Sequence, residues 1–236
     1  MLKFRLFTLY PEMFPGPLSK SIYGKALNNG LWKLQIINIR DYADDKHKTV
    51  DDTVIGGGSG MLLKPDVLAK SIDSNISSNE KIFYLSPRGK KFDQNYAKIL
   101  SKEKTINFIC GHFEGIDERL LATRNIEEIS IGDYILSGGE SAAIVVIDSI
   151  LRLIPGVLGN NSSKSEETFE NGLLEYPQYT KPKIWEGKSV PEVLFSGDHA
   201  KIKHWRLSQS EAITRRQRPD LWEQYFEKKK SKTLKT

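Results

Sequence analysis

The chain has 236 residues, 39% hydrophobic and 28% charged, enough for one large domain, or one domain with a small appendage, around a proper buried core. Its single cysteine, Cys110, excludes a disulfide within the chain and points to a reducing cytosol, and the longest apolar run, AAIVVI at 142–147, is far short of the roughly 20 residues that cross a bilayer. The net charge of +5 is uneven: Lys201 to Thr236 holds 11 Lys and Arg against 4 Asp and Glu, so what precedes it is slightly acidic. A polyanion partner and a merely solvated basic terminal helix account equally well for that tail.

The segments up to residue 158 alternate between strand-like and helix-like, the pattern of an α/β domain on a largely parallel sheet. KFRLFTLY (3–10) is the first strand; its apolar stretch, broken at Pro11, is too short for a signal peptide. It runs into YPEMFPGP, with prolines where a dinucleotide-binding fold carries its glycine fingerprint. LSKSIYGKALNN is a helix closed by Gly30, LQIINI (34–39) a strand, HKTVDDTVIGGGSGM (47–61) a flexible turn, and PDVLAKSI a helix opened by Pro65. KIFYLS (81–86), the helix FDQNYAKILSK, TINFIC (105–110) and EISIGDYIL (128–136) follow. In the helix ESAAIVVIDSILRLI, Ala143, Ile147, Ile150 and Ile154 share one side at helical spacing, which marks them as core.

At 159–172, GNNSSKSEETFENG cannot bury enough apolar area to offset its ordering entropy, and it is predicted to be a mobile interdomain linker. Residues 173–236 form a small, basic, helical domain: an irregular Pro-rich stretch at 176–193, then two helices meeting near Pro219, the first capped by Asp198.

Three glycine-containing loops follow apolar segments: SPRG (86–89), GHFEGID (111–117) and SIGDYILSGGE (130–140). Loops at the carboxyl ends of strands are where open α/β sheets bind ligands, so three converging loops make a pocket. Zinc chemistry is disfavoured, because His47, His112, His199 and His204 lack ligand spacing. No GxSxG nucleophile elbow occurs.

Taken in order, TVDDTVIGGGSGM, SPRG, CGHFEGIDER, SIGDYILSGGE and IPGVLG, with LYPEMF before them and HAKIKHWRL after, resemble the bacterial tRNA (guanine-N1)-methyltransferases of the SPOUT class. The resemblance spans nearly the whole chain. It implies a deep trefoil knot in residues 1–158, a homodimer with active sites at the interface, and a cytoplasmic enzyme without a membrane segment. The reaction would move a methyl group from S-adenosylmethionine to N1 of the guanosine 3′-adjacent to the anticodon in tRNA, leaving S-adenosylhomocysteine, with magnesium as an auxiliary.

Carried over by residue, the resemblance puts the cofactor on Tyr84, Leu85, Ser86 and Pro87, on Gly111 and Glu114, and on Ile131, Gly132, Tyr134, Leu136, Gly138 and Gly139. Gly138 and Gly139, lacking a Cβ, would let main chain lie against the adenosine. Phe113 stands where the family often has tyrosine, and Ala142 where it has proline. Arg152 would hold the guanine oxygen as charge builds there, and Glu167, in the slot of the family's linker aspartate, would remove the N1 proton, with Glu166 as competitor. Arg152 and the cofactor loops of one chain are expected to work with the linker and basic domain of the other. Asp51, Gly58, Ser59 and Gly60 would receive the flipped guanine, and Arg215, Arg216 and Arg218 the tRNA phosphates. The rivals are a non-catalytic RNA-binding protein and a dinucleotide oxidoreductase. A thermal shift with S-adenosylmethionine against NAD separates these readings, since only a ligand of the native state raises the melting temperature.

Overall fold

A computed structural model describes residues 1–77, 80–158, 168, 169 and 171–233. The chain divides into two compact units, Met1–Gly159 and Asn160–Thr236.

The first unit is built on a five-stranded, all-parallel sheet of β1 (Leu2–Thr8), β2 (Trp32–Asn38), β5 (Ile82–Lys91), β6 (Thr105–Ile109) and β7 (Ile126–Ser130), in the order β2-β1-β6-β5-β7. Alternate residues of these strands feed two cores, which is why the strands read as near-continuous apolar runs. Phe4, Leu6, Phe83, Phe108 and Ile129 join a core with helix α5 (Gly139–Leu151), whose Ala143, Ile147 and Ile150 are buried at the predicted spacing, with Ile154 buried just beyond its end. Phe7, Ile37, Ile82, Ile109 and Ile126 join the other, with α2 (Pro65–Asp73) and α4 (Glu118–Thr123). Helices α1 (Ser21–Asn28) and α3 (Gln94–Leu100) contribute Ala26, Ala97 and Leu100 to the first core. Arg5 is a charge buried within the sheet, and it is matched there by Asn107 Oδ1 at 2.6 Å, Glu80 Oε2 at 2.8 Å and Gln35 Oε1 at 3.2 Å.

The structure differs from the sequence expectation in four places. β7 stops at Ser130, not at residue 136, because Gly132 turns the chain at φ 150° while the Ser130 hydroxyl and the Gly132 backbone bond to each other. SPRG is not a loop beyond a strand: β5 runs on to Lys91, and its pairing with β7 shifts between Leu85 and Lys90, so the motif arches out of the middle of a strand. GGGSG is the tip of an antiparallel hairpin between β3 (Asp51–Thr53) and β4 (Met61–Leu63). Helix α4 had no sequence counterpart, since its six residues are too few to show a period.

In the second unit, a hairpin of β8 (Ile184–Trp185) and β9 (Lys188–Ser189) precedes α6 (His199–Gln217) and α7 (Pro219–Thr233). Asp198 caps α6, its carboxylate accepting from the amides of Ala200 and Lys201. Glu211 of α6 ties the two helices together by accepting from Tyr225 Oη and Lys229 Nζ of α7, both at 2.9 Å. The Thr214 hydroxyl accepts from the Leu174 amide at 2.8 Å, which fastens the irregular stretch to α6.

Candidate active site

The carboxyl ends of β6 and β7 and the arch within β5 open onto a cavity of about 430 Å³, within the range of about 300–1,000 Å³ typical of small-molecule sites. Its walls are three segments, 84–88, 111–116 and 129–139, closed off by Glu118 and Ala142. Tyr84, Leu85, Ser86, Pro87, Gly111, Glu114, Ile131, Gly132, Tyr134, Leu136, Gly138 and Gly139 all line it. Arg88, His112, Phe113, Ile135 and Ser137 share the wall. The ring of Phe113 and the side chains of Tyr134, Ile135 and Leu136 are exposed there.

The arch of β5 is held rigid from outside. Arg88 donates to Glu118 at 3.0 Å and to both oxygens of Glu128 at 3.2 Å, and these partners raise its pKa. Burial, then the Glu128 charge, pushes up the Tyr84 phenol, which keeps its proton. Cys110 lies wholly buried below the cavity, and burial followed by the Glu140 charge lifts its thiol well above the usual range. It is not a nucleophile.

The glycine pair also makes room within the wall itself. A Cβ on Gly138 would sit 2.3 Å from His112 Cε1 and 2.7 Å from Glu140 Oε2, and one on Gly139 would sit 2.7 Å from Cys110 Cα. The space freed by the missing side chains is therefore filled by the protein itself. That approach lets the Gly139 amide donate to Gly111 O at 2.9 Å, locking two walls together. Glu140, buried behind them, also escaped the sequence reading of site residues; an acid directly after a buried glycine pair was the signal available.

The hairpin β3–β4 adjoins this wall. The Glu114 amide donates to Met61 O at 2.9 Å, and the Leu63 amide to Gly115 O at 3.0 Å. Gly60, at φ 116°, lies so close to Glu114 that a Cβ would come within 2.5 Å of Oε1. Gly58 and Ser59 are exposed at the open tip, and Asp51 is half-buried opposite Leu63.

Arg152 is not brought to the cavity of its own chain. It caps the C-terminus of α5, whose 13 residues place it about 20 Å from the cavity wall at Gly139. There it shares charge with Tyr23, whose hydroxyl donates to Asp148 at 2.7 Å; burial and Asp148 push that phenol up to about 12, against an opposing pull from Arg152. Glu166 and Glu167 lie outside the described residues. In the second unit, Arg215 and Arg216 are exposed in the last turn of α6, whereas Arg218 is held by Asp220 through bonds of 2.9 and 2.6 Å.

The family model for tRNA (Guanine-1)-methyltransferase TrmD matches residues 2–224. A tRNA (guanine-N(1)-)-methyltransferase of Pelagibacter ubique is 72% identical over 225 residues, covering 95% of this chain and 99% of the relative. Proteins of the same name from Brucella canis and Bartonella tribocorum are 54% and 53% identical, covering 92% and 97% of this chain and 89% and 98% of theirs.

Proposed function

The chain belongs to the tRNA (guanine-1)-methyltransferase TrmD family, so it is a methyltransferase, and from that premise we propose that it methylates N1 of the guanosine 3′-adjacent to the anticodon. The observation that carries the reading is the cavity in which three separate segments of chain, two of them with glycines in the wall, meet beside the neighbouring strands β6, β5 and β7. Its size and its wall of backbone, aromatic and small residues fit S-adenosylmethionine, which the 84–87, 111–114 and 131–139 segments would hold. When bound, that cofactor supplies an electrophilic methyl group and leaves as S-adenosylhomocysteine. Backbone amides and carbonyls of the three segments orient it, and the exposed rings of Phe113 and Tyr134 exclude water.

For the guanine, the hairpin tip at Gly58, Ser59 and Gly60 gives the flipped base close backbone approach, and Asp51 accepts from its edge. Glu167 takes the N1 proton, and Arg152 holds the oxygen on which the negative charge accumulates. A homodimer would complete the site, with Arg152 and the cofactor loops of one copy working with the linker and basic domain of the other. The exposed Val145 of α5 and the exposed Ile135 and Leu136 supply apolar surface for that contact. The first unit, residues 1–158, carries the cofactor in a deep trefoil knot, 159–172 is the linker that delivers Glu167, and 173–236 grips tRNA phosphates through Arg215 and Arg216, with Arg218 turned from Asp220 to a phosphate.

Magnesium serves as an auxiliary on the tRNA; among the described residues no group of three or more His, Cys, Asp or Glu is placed to hold a metal ion. Among them, too, no helix is long and apolar enough to cross a membrane, and we place the enzyme in the cytoplasm.

The test is methylation of unmodified tRNA with methyl-labelled donor, followed by identification of the nucleoside. 1-Methylguanosine is expected, and label in any other nucleoside overturns the reading. Glu167→Gln should slow single-turnover methylation by at least about 100-fold, the scale of a lost general base. A near wild-type rate there, with Glu166→Gln inactive, moves the role by one residue.

A further inference from the structure

Glu140 is a buried carboxylate that the proposed chemistry does not use. It is 1% exposed in the first turn of α5, directly after the glycine pair, and both of its oxygens are engaged. Oε1 accepts from the hydroxyl of Thr8, itself fully buried at the end of β1, at 2.5 Å. The Thr8 oxygen accepts in turn from the Tyr10 amide at 2.9 Å, so the hydroxyl proton can point only at the carboxylate. Oε2 lies 2.8 Å from His112 Nε2. A carboxylate only accepts, so Nε2 carries the hydrogen. The ring of Tyr10 packs on the His112 ring, with centroids 4.8 Å apart.

One carboxylate thus joins three stretches of chain distant in sequence: the end of β1, the 111–116 wall and the turn into α5. Of its two partners, His112 lines the cavity and Thr8 does not. The His112 ring also occupies the space a Gly138 side chain would need, since a Cβ there would come within 2.3 Å of Cε1, so ring and glycine lie close across two cavity walls. We propose that His112 is a positioning residue for the cofactor: Glu140 fixes its Nε2–H, and the fixed ring holds the 111–116 and 137–139 walls at the separation the adenosyl group requires. The inference rests on the cofactor reading of the cavity.

The discriminating variants are His112→Gln and His112→Asn. Both carry an amide. Glutamine reaches to where Nε2 stands and can still donate to Glu140, whereas asparagine reaches only to the position of Nδ1 and leaves Oε2 without its donor. By calorimetry with S-adenosylhomocysteine, His112→Gln should bind within about threefold of wild type and His112→Asn at least about tenfold more weakly, the scale of leaving a buried charged acceptor unpaired. In tRNA methylation the asparagine variant should raise KM for the donor more than it lowers kcat. Thr8→Val, isosteric and outside the cavity, removes the other hydrogen bond to Glu140 and should also weaken S-adenosylhomocysteine binding several-fold. Equal binding by the glutamine and asparagine variants overturns the proposal, as does a Thr8→Val protein with a lowered melting temperature and unchanged affinity. If His112→Asn does not fold, Thr8→Val and His112→Gln still decide. Wild-type protein that binds no S-adenosylhomocysteine would instead remove the cofactor reading itself.

Discussion

Two glycine-rich segments of the first unit, Ser137–Glu140 and Ile55–Gly60, look alike in sequence and have opposite surroundings. At Gly138 and Gly139 the backbone is pressed against His112, Glu140 and the main chain of Cys110, with no room for a methyl group. At Gly56, Gly57 and Gly58 nothing lies within 4 Å of where a Cβ would be, and φ is 100°, 87° and 121°. The first segment needs glycine for close approach, the second for chain reversal. A wall with every gap filled is preorganised for a small ligand, whereas an open tip in left-handed conformation leaves its contacts to be completed by whatever docks on it.

Substitution by alanine breaks that contrast most severely at Gly139, where the new methyl meets backbone that cannot swing away. Gly139→Ala should lose at least about 100-fold in S-adenosylhomocysteine affinity by calorimetry, equivalent to about 3 kcal/mol and the upper end of overpacking costs. Affinity within a few-fold of wild type would show that the two walls are not locked. Gly60→Ala comes next, because its methyl meets only the mobile end of Glu114 but must adopt φ 116°. About tenfold slower tRNA methylation, with a smaller change in cofactor affinity, is expected from strain of about 1–3 kcal/mol. Gly57→Ala should cost about threefold in methylation and leave S-adenosylhomocysteine binding alone, since strain without collision is all it introduces; equal losses in both assays would place the tip in the cofactor site. Smallest is Arg215→Ala with Arg216→Ala, which should flatten the plot of log affinity for tRNA against log salt by about one unit per phosphate contact. An unchanged slope would remove both arginines from the tRNA surface.

The α/β alternation was legible because sheet strands buried on both faces, and the stripe Ala143–Ile147–Ile150–Ile154, announce themselves in the apolar pattern. The members of the cavity were legible only as motifs in order. What the pattern hid was how they meet. EISIGDYIL reads as one strand, yet Gly132 ends pairing at Ser130, and the exposed Tyr134, Ile135 and Leu136 that lengthened the apparent strand face the cavity rather than the core. SPRG reads as punctuation because proline and glycine usually end strands, but the pairing of β5 resumes at Lys90. The partnership of Thr8, Glu140 and His112 joins positions up to 132 residues apart, which no local period can reveal. For Arg152, the residue type was readable, but its distance from the cavity is a property of helix length in space.

Cys110 gives the chain a practical property. The sole thiol is enclosed and neutral, so maleimide and iodoacetamide reagents have no thiolate to attack in the folded protein. The natural sequence is therefore already a silent background for spectroscopic labels. A cysteine introduced at Ile55, 95% exposed on the hairpin tip, would take a fluorophore alone.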